Sequence, residues 1–115
     1  MTFETEIKRI AVEETVVVEI FIGGDINQGK HRLSQLASQN GACWSVEPTE
    51  FIYTGGREVG MIVRSINYPR FPSTVDKLME DAILIAQELM YHLGQGSCSV
   101  VGPKETVWLT RRKDD

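Results

Sequence analysis

The feature that most constrains the fold is residues 15–22, Thr-Val-Val-Val-Glu-Ile-Phe-Ile, which end at Gly23 and Gly24. β-branched and aromatic residues favour a pleated strand, and glycines favour the turn that follows it. Side chains alternate across a strand, so one face carries valines and isoleucines at 16, 18, 20 and 22. The other face carries Val17, Glu19 and Phe21. This strand therefore packs one apolar face against another element and leaves a mixed face outward.

Two segments have the periodicity of amphipathic helices. Residues 74–93 place their apolar side chains on one broad arc, begin after a Ser73-Thr74 capping sequence, and end at Gly94-Gln95-Gly96. A weaker helix follows Asp25, which has Gln28 three residues later, and Asn40-Gly41 supplies its C-terminal stop. Because this first helix has few apolar residues, we expect it to form by packing on a sheet.

Three further strands complete the order of elements. Residues 43–53 and 57–66 flank Thr54-Gly55-Gly56, the signal of a hairpin, and Pro48 places the first of them at a sheet edge. The last strand is expected at Ser97–Val101 and resumes after Gly102-Pro103 through residues 107–109.

The order β-α-β-β-α-β predicts an α+β fold. With right-handed crossovers, the economical arrangement is a ferredoxin-like βαββαβ two-layer sandwich, an antiparallel sheet with two helices on one face. A single domain is expected over residues 1–115. Residues 1–14 form either an extra edge strand, an arm or a short helix, and residues 111–115 form a solvated tail.

Composition excludes several classes of protein. With 42% hydrophobic and 24% charged residues, the chain is typical of a globular protein and not of a disordered one. A net charge of −4 argues against nucleic acid and anionic membranes as partners. The acidic N-terminus does not resemble a signal peptide, and two cysteines do not make a disulfide framework. We therefore predict a cytoplasmic protein without a membrane segment.

Residues that bear metal or nucleophilic chemistry are few and widely spaced. His31, Cys43, His92 and Cys98 match no zinc pattern, and the predicted topology separates Cys43 from the other three. Cys98 with His92 is the only cysteine–base pair that the topology brings near, and a packing role for Cys98 is favoured. We predict no metal, no cofactor and no catalytic residue.

The glycine-rich end of the sandwich is the candidate ligand site. Backbone N–H groups at a helix N-terminus attract anions, and glycines let a ligand approach closely. The candidate residues are Gly23, Gly24, Lys30, His31, Arg57 and His92. Against this hypothesis, Asp25 already caps the helix, and tight turns require glycines without any ligand.

Exposed apolar residues lead to the main functional hypothesis, protein–protein association. Val17 and Phe21 lie on the open sheet face, and Leu84 and Tyr91 on the outer side of the long helix. The loop with Tyr68, Arg70 and Phe71 either packs under that helix or presents residue types common at binding hot spots. We predict a non-catalytic binding protein, a homodimer with a possible protein partner. The alternative is a sensor or enzyme that uses the glycine-rich end for a small molecule or anion.

A third hypothesis rests on a resemblance to the RNA recognition motif. Residues 20–23, Ile-Phe-Ile-Gly, resemble its first-strand sequence, and Arg57–Arg64 is similar to its third-strand sequence. The resemblance implies single-stranded RNA binding by bases stacked on aromatic rings. Val59, Met61 and Arg64 stand where that family has rings, which makes this the weakest of the three hypotheses.

Overall fold

The structure, a computed structural model, describes residues 6–40 and 42–113. These residues form two helices and five strands. Their bounds are β1 Val17–Gly23, α1 Ile26–Asn40, β2 Ser45–Tyr53, β3 Gly56–Ile66, α2 Val75–Leu93, β4 Ser97–Val101 and β5 Thr106–Thr110.

The five strands form one antiparallel sheet in the order β2-β3-β1-β4-β5. The predicted α+β class, the antiparallel sheet and the pair of helices are confirmed. The number of strands differs, because residues 106–110 form a strand of their own instead of continuing the fourth. After Val101 the chain reverses, with the Gly102 N–H donating to the Glu105 carbonyl at 2.9 Å. The residues after this turn pair with β4 as a hairpin.

One apolar core lies between the sheet and the helices. Val18, Ile20 and Val100 are completely buried, as are Met61 and Val63 of β3. The helices contact each other, and their buried side chains belong to the same cluster as these strand residues. The alternation of β1 therefore sets the layer order, with its even-numbered residues under the helices.

Capping fixes the two ends of α2. The Thr74 hydroxyl accepts a hydrogen bond from the Lys77 N–H at 3.1 Å. Gly94 adopts the left-handed conformation with φ of 67°, and the Gln95 N–H donates to the Met90 carbonyl at 2.8 Å. The C-terminal cap turns the chain directly into β4 and places Gln95 at the end of the sheet.

The segment before β1 forms neither helix nor strand over residues 6–16. It joins the domain at its last residues, where Val16 is buried and the Asn67 side chain donates to the Glu14 carbonyl at 2.8 Å. Residues 1–5, part of the segment for which the sequence left a strand, an arm or a helix open, lie outside the described residues. Within the described ranges, neither helix is long and apolar enough to span a membrane.

Candidate functional site

The sheet face away from the helices holds a groove of about 270 Å³. It lies where β1 ends and β4 begins, with Gly23, Ser97 and Ser99 along its floor. Its walls come from every strand except β4 and from the segments before β4 and after β5. The side chains that line these walls are Phe21, Phe51, Glu58, Gln95, Trp108 and Arg112.

Strand register brings the aromatic residues together. Phe21 is paired with Ser99, and Ser99 is paired with Trp108, so the two rings flank a small residue in one row across the sheet. Phe51 is paired with Glu58 in the β2–β3 hairpin, and its ring lies over Gly60. Three aromatic side chains thus surround a floor made of glycines and serines.

A pair of facing glycines makes room for the polar side chains. Gly23 of β1 is paired with Gly60 of β3. A Cβ on Gly23 would lie 2.6 Å from the Glu58 carboxyl carbon and 2.9 Å from the Gln95 side-chain oxygen. The Glu58 carboxylate therefore lies over Gly23, and any larger residue there would displace it.

The carboxylate inside the groove and the carboxylates beside it differ in whether they have ionic partners. Among the residues that the structure describes, the Glu58 carboxylate makes no hydrogen bond or ion pair. The guanidinium of Arg112 lies over Gly96, where a Cβ would be 2.7 Å from its Nε. Next to the groove, Arg64 contacts Glu19 at 2.6 Å and Glu47 at 2.9 Å, and hydrogen bonds to both carboxylates raise the pKa of Arg64. The carboxylates beside the groove are therefore neutralised, while the one inside it is not.

The six candidate anion-site residues lie at several places. Gly23 lines the groove, and a side chain on Gly24 would contact Leu93 and Gln95 beside it. The four charged or imidazole side chains lie elsewhere. Lys30 lines a second cavity, between α1 and β2, and His31 lies 3.3 Å from the Gln35 amide. Arg57 pairs with Glu50 at 3.2 Å, and His92 is exposed in the last turn of α2. Of the six candidates, Gly23 and Gly24 thus lie in or beside the groove.

Nucleophilic cysteine chemistry has no support in this geometry. Cys98 points into the core and is 5% exposed, and burial raises the pKa of its thiol to about 11. At neutral pH it is therefore a protonated thiol, which is a poor nucleophile. Over the described residues, no group of three or more His, Cys, Asp and Glu side chains is placed to hold a metal ion.

The candidate interface residues are spread over three surfaces. Val17 and Phe21 lie on the open sheet face, with Val17 37% exposed. On α2, Leu84 and Tyr91 are exposed, and the Arg111 guanidinium lies 5.7 Å from the Tyr91 ring centre. In the loop, the Tyr68 and Phe71 rings pack on each other at 5.3 Å and Arg70 is exposed. A hydrogen bond with Cys43 and partial burial raise the pKa of the Tyr68 phenol.

Sequence reasoning missed most of the groove. Phe51, Glu58, Gln95, Trp108 and Arg112 were not among the candidate site residues. The available signal was the alternation of each strand, which places Phe51 and Trp108 on the same face as Phe21 once the register is known. Arg112 falls in the segment predicted to be a solvated tail. The Arg111 N–H donates to the Gly96 carbonyl at 2.8 Å, which holds this segment beside β4.

Comparison with solved structures finds the same fold in a phage SAM lyase. The lyase in its apo state matches with a TM-score of 0.65 and 15% identity, over 84% of this chain and 90% of the lyase chain. A phage SAM lyase in complex with S-methyl-5′-thioadenosine matches with a TM-score of 0.60 and 12% identity, over 91% of this chain and 96% of that one. No protein-family model and no curated protein sequence matches the chain.

These similarities overturn the main functional prediction, a non-catalytic protein acting through protein–protein association. The homodimer stays a prediction. The matching structures are of a phage SAM lyase, one in its apo state and one with a small molecule bound. The prediction treated exposed apolar residues as surface for a partner. Instead, Phe21 lines a groove together with Glu58 and Arg112, so part of the apolar surface assigned to a partner belongs to a concave site with charged side chains. The finding favours the alternative prediction, a sensor or enzyme that uses the glycine-rich end for a small molecule or anion, in its catalytic small-molecule form.

Proposed function

We propose that the protein is a lyase that cleaves S-adenosylmethionine (SAM), and that the groove on the open sheet face is its active site. The observation that carries the proposal is the similarity to the phage SAM lyase, which extends over nearly the whole of both chains. The groove adds support of its own, because its side chains suit both ends of this substrate.

The aromatic side chains suit the adenosine part. Every purine has two flat faces that stack on aromatic rings, and such stacking contributes about 1–3 kcal/mol per base in other proteins. Phe21 and Trp108 flank Ser99 in one row of the sheet, and Phe51 lines another wall of the same groove. The cavity volume of about 270 Å³ is close to the roughly 300 Å³ at the lower end for small-molecule sites.

The unpaired carboxylate suits the sulfonium part. SAM carries a permanent positive charge on sulfur, and a carboxylate without another partner attracts a cation more strongly than a neutralised one. Glu58 is that carboxylate, lying beside aromatic rings whose faces also attract cations. The net charge of −4 favours the approach of a cationic substrate.

The proposed reaction breaks the bond between sulfur and the four-carbon amino-acid chain. The bonding electron pair goes to sulfur, which becomes the neutral thioether of S-methyl-5′-thioadenosine. A lyase adds no water, so the carbon chain either loses a Cβ proton or closes on its own carboxylate. Glu58 accepts the proton in the first case. In the second, a carboxylate oxygen bonds to Cγ as the Cγ–S bond breaks, the two opposite charges cancel, and Glu58 holds the sulfonium in position for the displacement. Identifying the four-carbon product distinguishes these two routes.

The test is to incubate the purified protein with SAM and measure S-methyl-5′-thioadenosine by chromatography. We expect catalysed release by the wild type and at least about tenfold slower release by Glu58→Gln, which keeps the size of the side chain and removes its charge. Glu50→Gln is the matched control, because Glu50 lies on the same hairpin, pairs with Arg57 and is absent from the groove lining. If the wild type neither binds SAM nor releases the thioether, the proposal is wrong.

We also propose a finer description of the fold. The first four strands and both helices form a ferredoxin-like unit, to which β5 adds a fifth strand at one edge. The neighbours β2-β3-β1-β4, all antiparallel, support this description.

A further inference from the structure

The groove contains a positive side chain as well as a negative one, and each lies over a different strand. The Glu58 carboxylate reaches over Gly23 at the end of β1, and the Arg112 guanidinium reaches over Gly96 just before β4. β1 and β4 are neighbours in the sheet. Because neighbouring strands are about 4.8 Å apart, the two side chains lie over adjacent parts of the sheet, and both line the groove.

Backbone contacts hold Arg112 at this position. The Arg111 N–H donates to the Gly96 carbonyl at 2.8 Å, and the Arg112 N–H donates to the Thr110 hydroxyl at 3.0 Å. The first bond extends the β4–β5 pairing beyond the last residue of β5, and the second fixes the Arg112 backbone against Thr110. The guanidinium is thereby directed over the glycine of the neighbouring segment.

We propose that Arg112 binds the α-carboxylate of the substrate while Glu58 faces its sulfonium, so that the groove selects sulfonium amino acids with an intact carboxylate. This inference rests on the proposed function and adds a specificity-determining residue to it. In such a substrate four bonds separate the sulfur from the carboxyl carbon, a span of about 5 Å, so the two ends can face different side chains of one groove. Arginine is suited to the role because its planar fork donates two parallel hydrogen bonds to a carboxylate.

Gly96 has a part in the same recognition. It leaves the space over the backbone that the guanidinium occupies, since a Cβ would lie 2.7 Å from Arg112 Nε and 3.0 Å from one terminal nitrogen. The φ of Gly96 is not positive, so alanine fits the backbone there. Gly96→Ala therefore moves the guanidinium without removing it.

The experiment compares two stable ligands by calorimetric titration. S-adenosylhomocysteine carries the amino-acid end on an uncharged sulfur, and S-methyl-5′-thioadenosine lacks that end. We expect Arg112→Ala to weaken S-adenosylhomocysteine binding about 10–100-fold and S-methyl-5′-thioadenosine binding less than about threefold. Gly96→Ala should reproduce this selective loss, which keeps the test informative if Arg112→Ala folds poorly.

Arg111→Ala is the matched control. It removes the same charge from the next residue, whose guanidinium lies against Tyr91. We expect both ligands to bind this variant as they bind the wild type. Equal weakening of both ligands by Arg112→Ala, or no weakening of either, would overturn the carboxylate assignment while leaving the proposed function intact. Failure of the wild type to bind either ligand or SAM would overturn the proposed function itself.

Discussion

The two faces of the sheet are built from the same strands and differ in almost every property. On the covered face Ile20, Met61 and Val63 are wholly buried against the helices. On the open face the neighbouring positions carry Phe21 and Ile62, which are only partly buried, together with charged side chains. The comparison teaches that alternate residues of one strand face opposite sides of the sheet and contribute to different parts of the molecule. The even-numbered residues of β1 are buried in the core, and the odd-numbered ones include Phe21 and Gly23 of the groove.

The largest expected effect on stability comes from substituting one of two adjacent residues of β1, Ile20 or Phe21, by alanine. Ile20→Ala removes a fully buried side chain and should lower the free energy of unfolding by about 2–5 kcal/mol. Phe21→Ala should cost less than half as much, because its ring is partly exposed and lines the groove. Urea denaturation followed by circular dichroism measures both changes.

Ligand binding should show the reverse order for the same two variants. Phe21→Ala should weaken S-methyl-5′-thioadenosine binding by about tenfold or more, in line with the loss of one stacking ring. Ile20→Ala, measured where it remains folded, should bind nearly as the wild type does. Loss of stability and binding in the same proportion by both variants would contradict the separate roles of the covered face in stability and of the open face in binding.

The two cysteines extend the comparison to chemical reactivity. Cys98 lies on the covered face and Cys43 is exposed. A thiol reagent such as Ellman's reagent should therefore modify one cysteine quickly in the native protein and the second only on unfolding. Rapid modification of both would show that the covered face opens easily.

Alkaline pH should reveal the same burial. The pKa of Cys98 is raised from 9.0 to about 11, so the unfolded chain ionises this thiol first as pH rises. The stability linked to Cys98 is thus fully present below about pH 9 and is lost between pH 9 and 11. Cys98→Ala should show a shallower decline of unfolding free energy over that window than the wild type.

The smallest effect is expected from the ion pairs of the open face. Arg64→Met removes both contacts, to Glu19 and Glu47, and leaves those carboxylates near each other. We expect a slight loss of stability in dilute buffer and none at 1 M salt, because exposed charges are screened. A large loss that persists at high salt would mean that the open face also carries part of the stability.

Local sequence patterns predict the elements of this fold and do not predict their neighbours across the sheet. The β-branched run of β1, the apolar arc of α2 and the hairpin glycines are local signals, and each corresponds to an element. Whether residues 106–110 continue the fourth strand or pair with it depends on a turn that composition alone leaves open. The groove joins positions from 21 to 112, so its membership follows from register, which alternation within one strand does not specify.

The β2–β3 hairpin is longer than the strand beside it. The last backbone bond between them joins the Gly24 N–H to the Val59 carbonyl at 3.0 Å, and from Glu58 to the tip the two arms pair only with each other. A two-stranded ribbon resists bending less than a five-stranded sheet does. One wall of the groove therefore belongs to a two-stranded ribbon that begins beyond Val59, whereas the floor belongs to the five-stranded sheet. Because Phe51 and Glu58 lie in that ribbon, a change in its length would move one wall of the groove without altering a core contact.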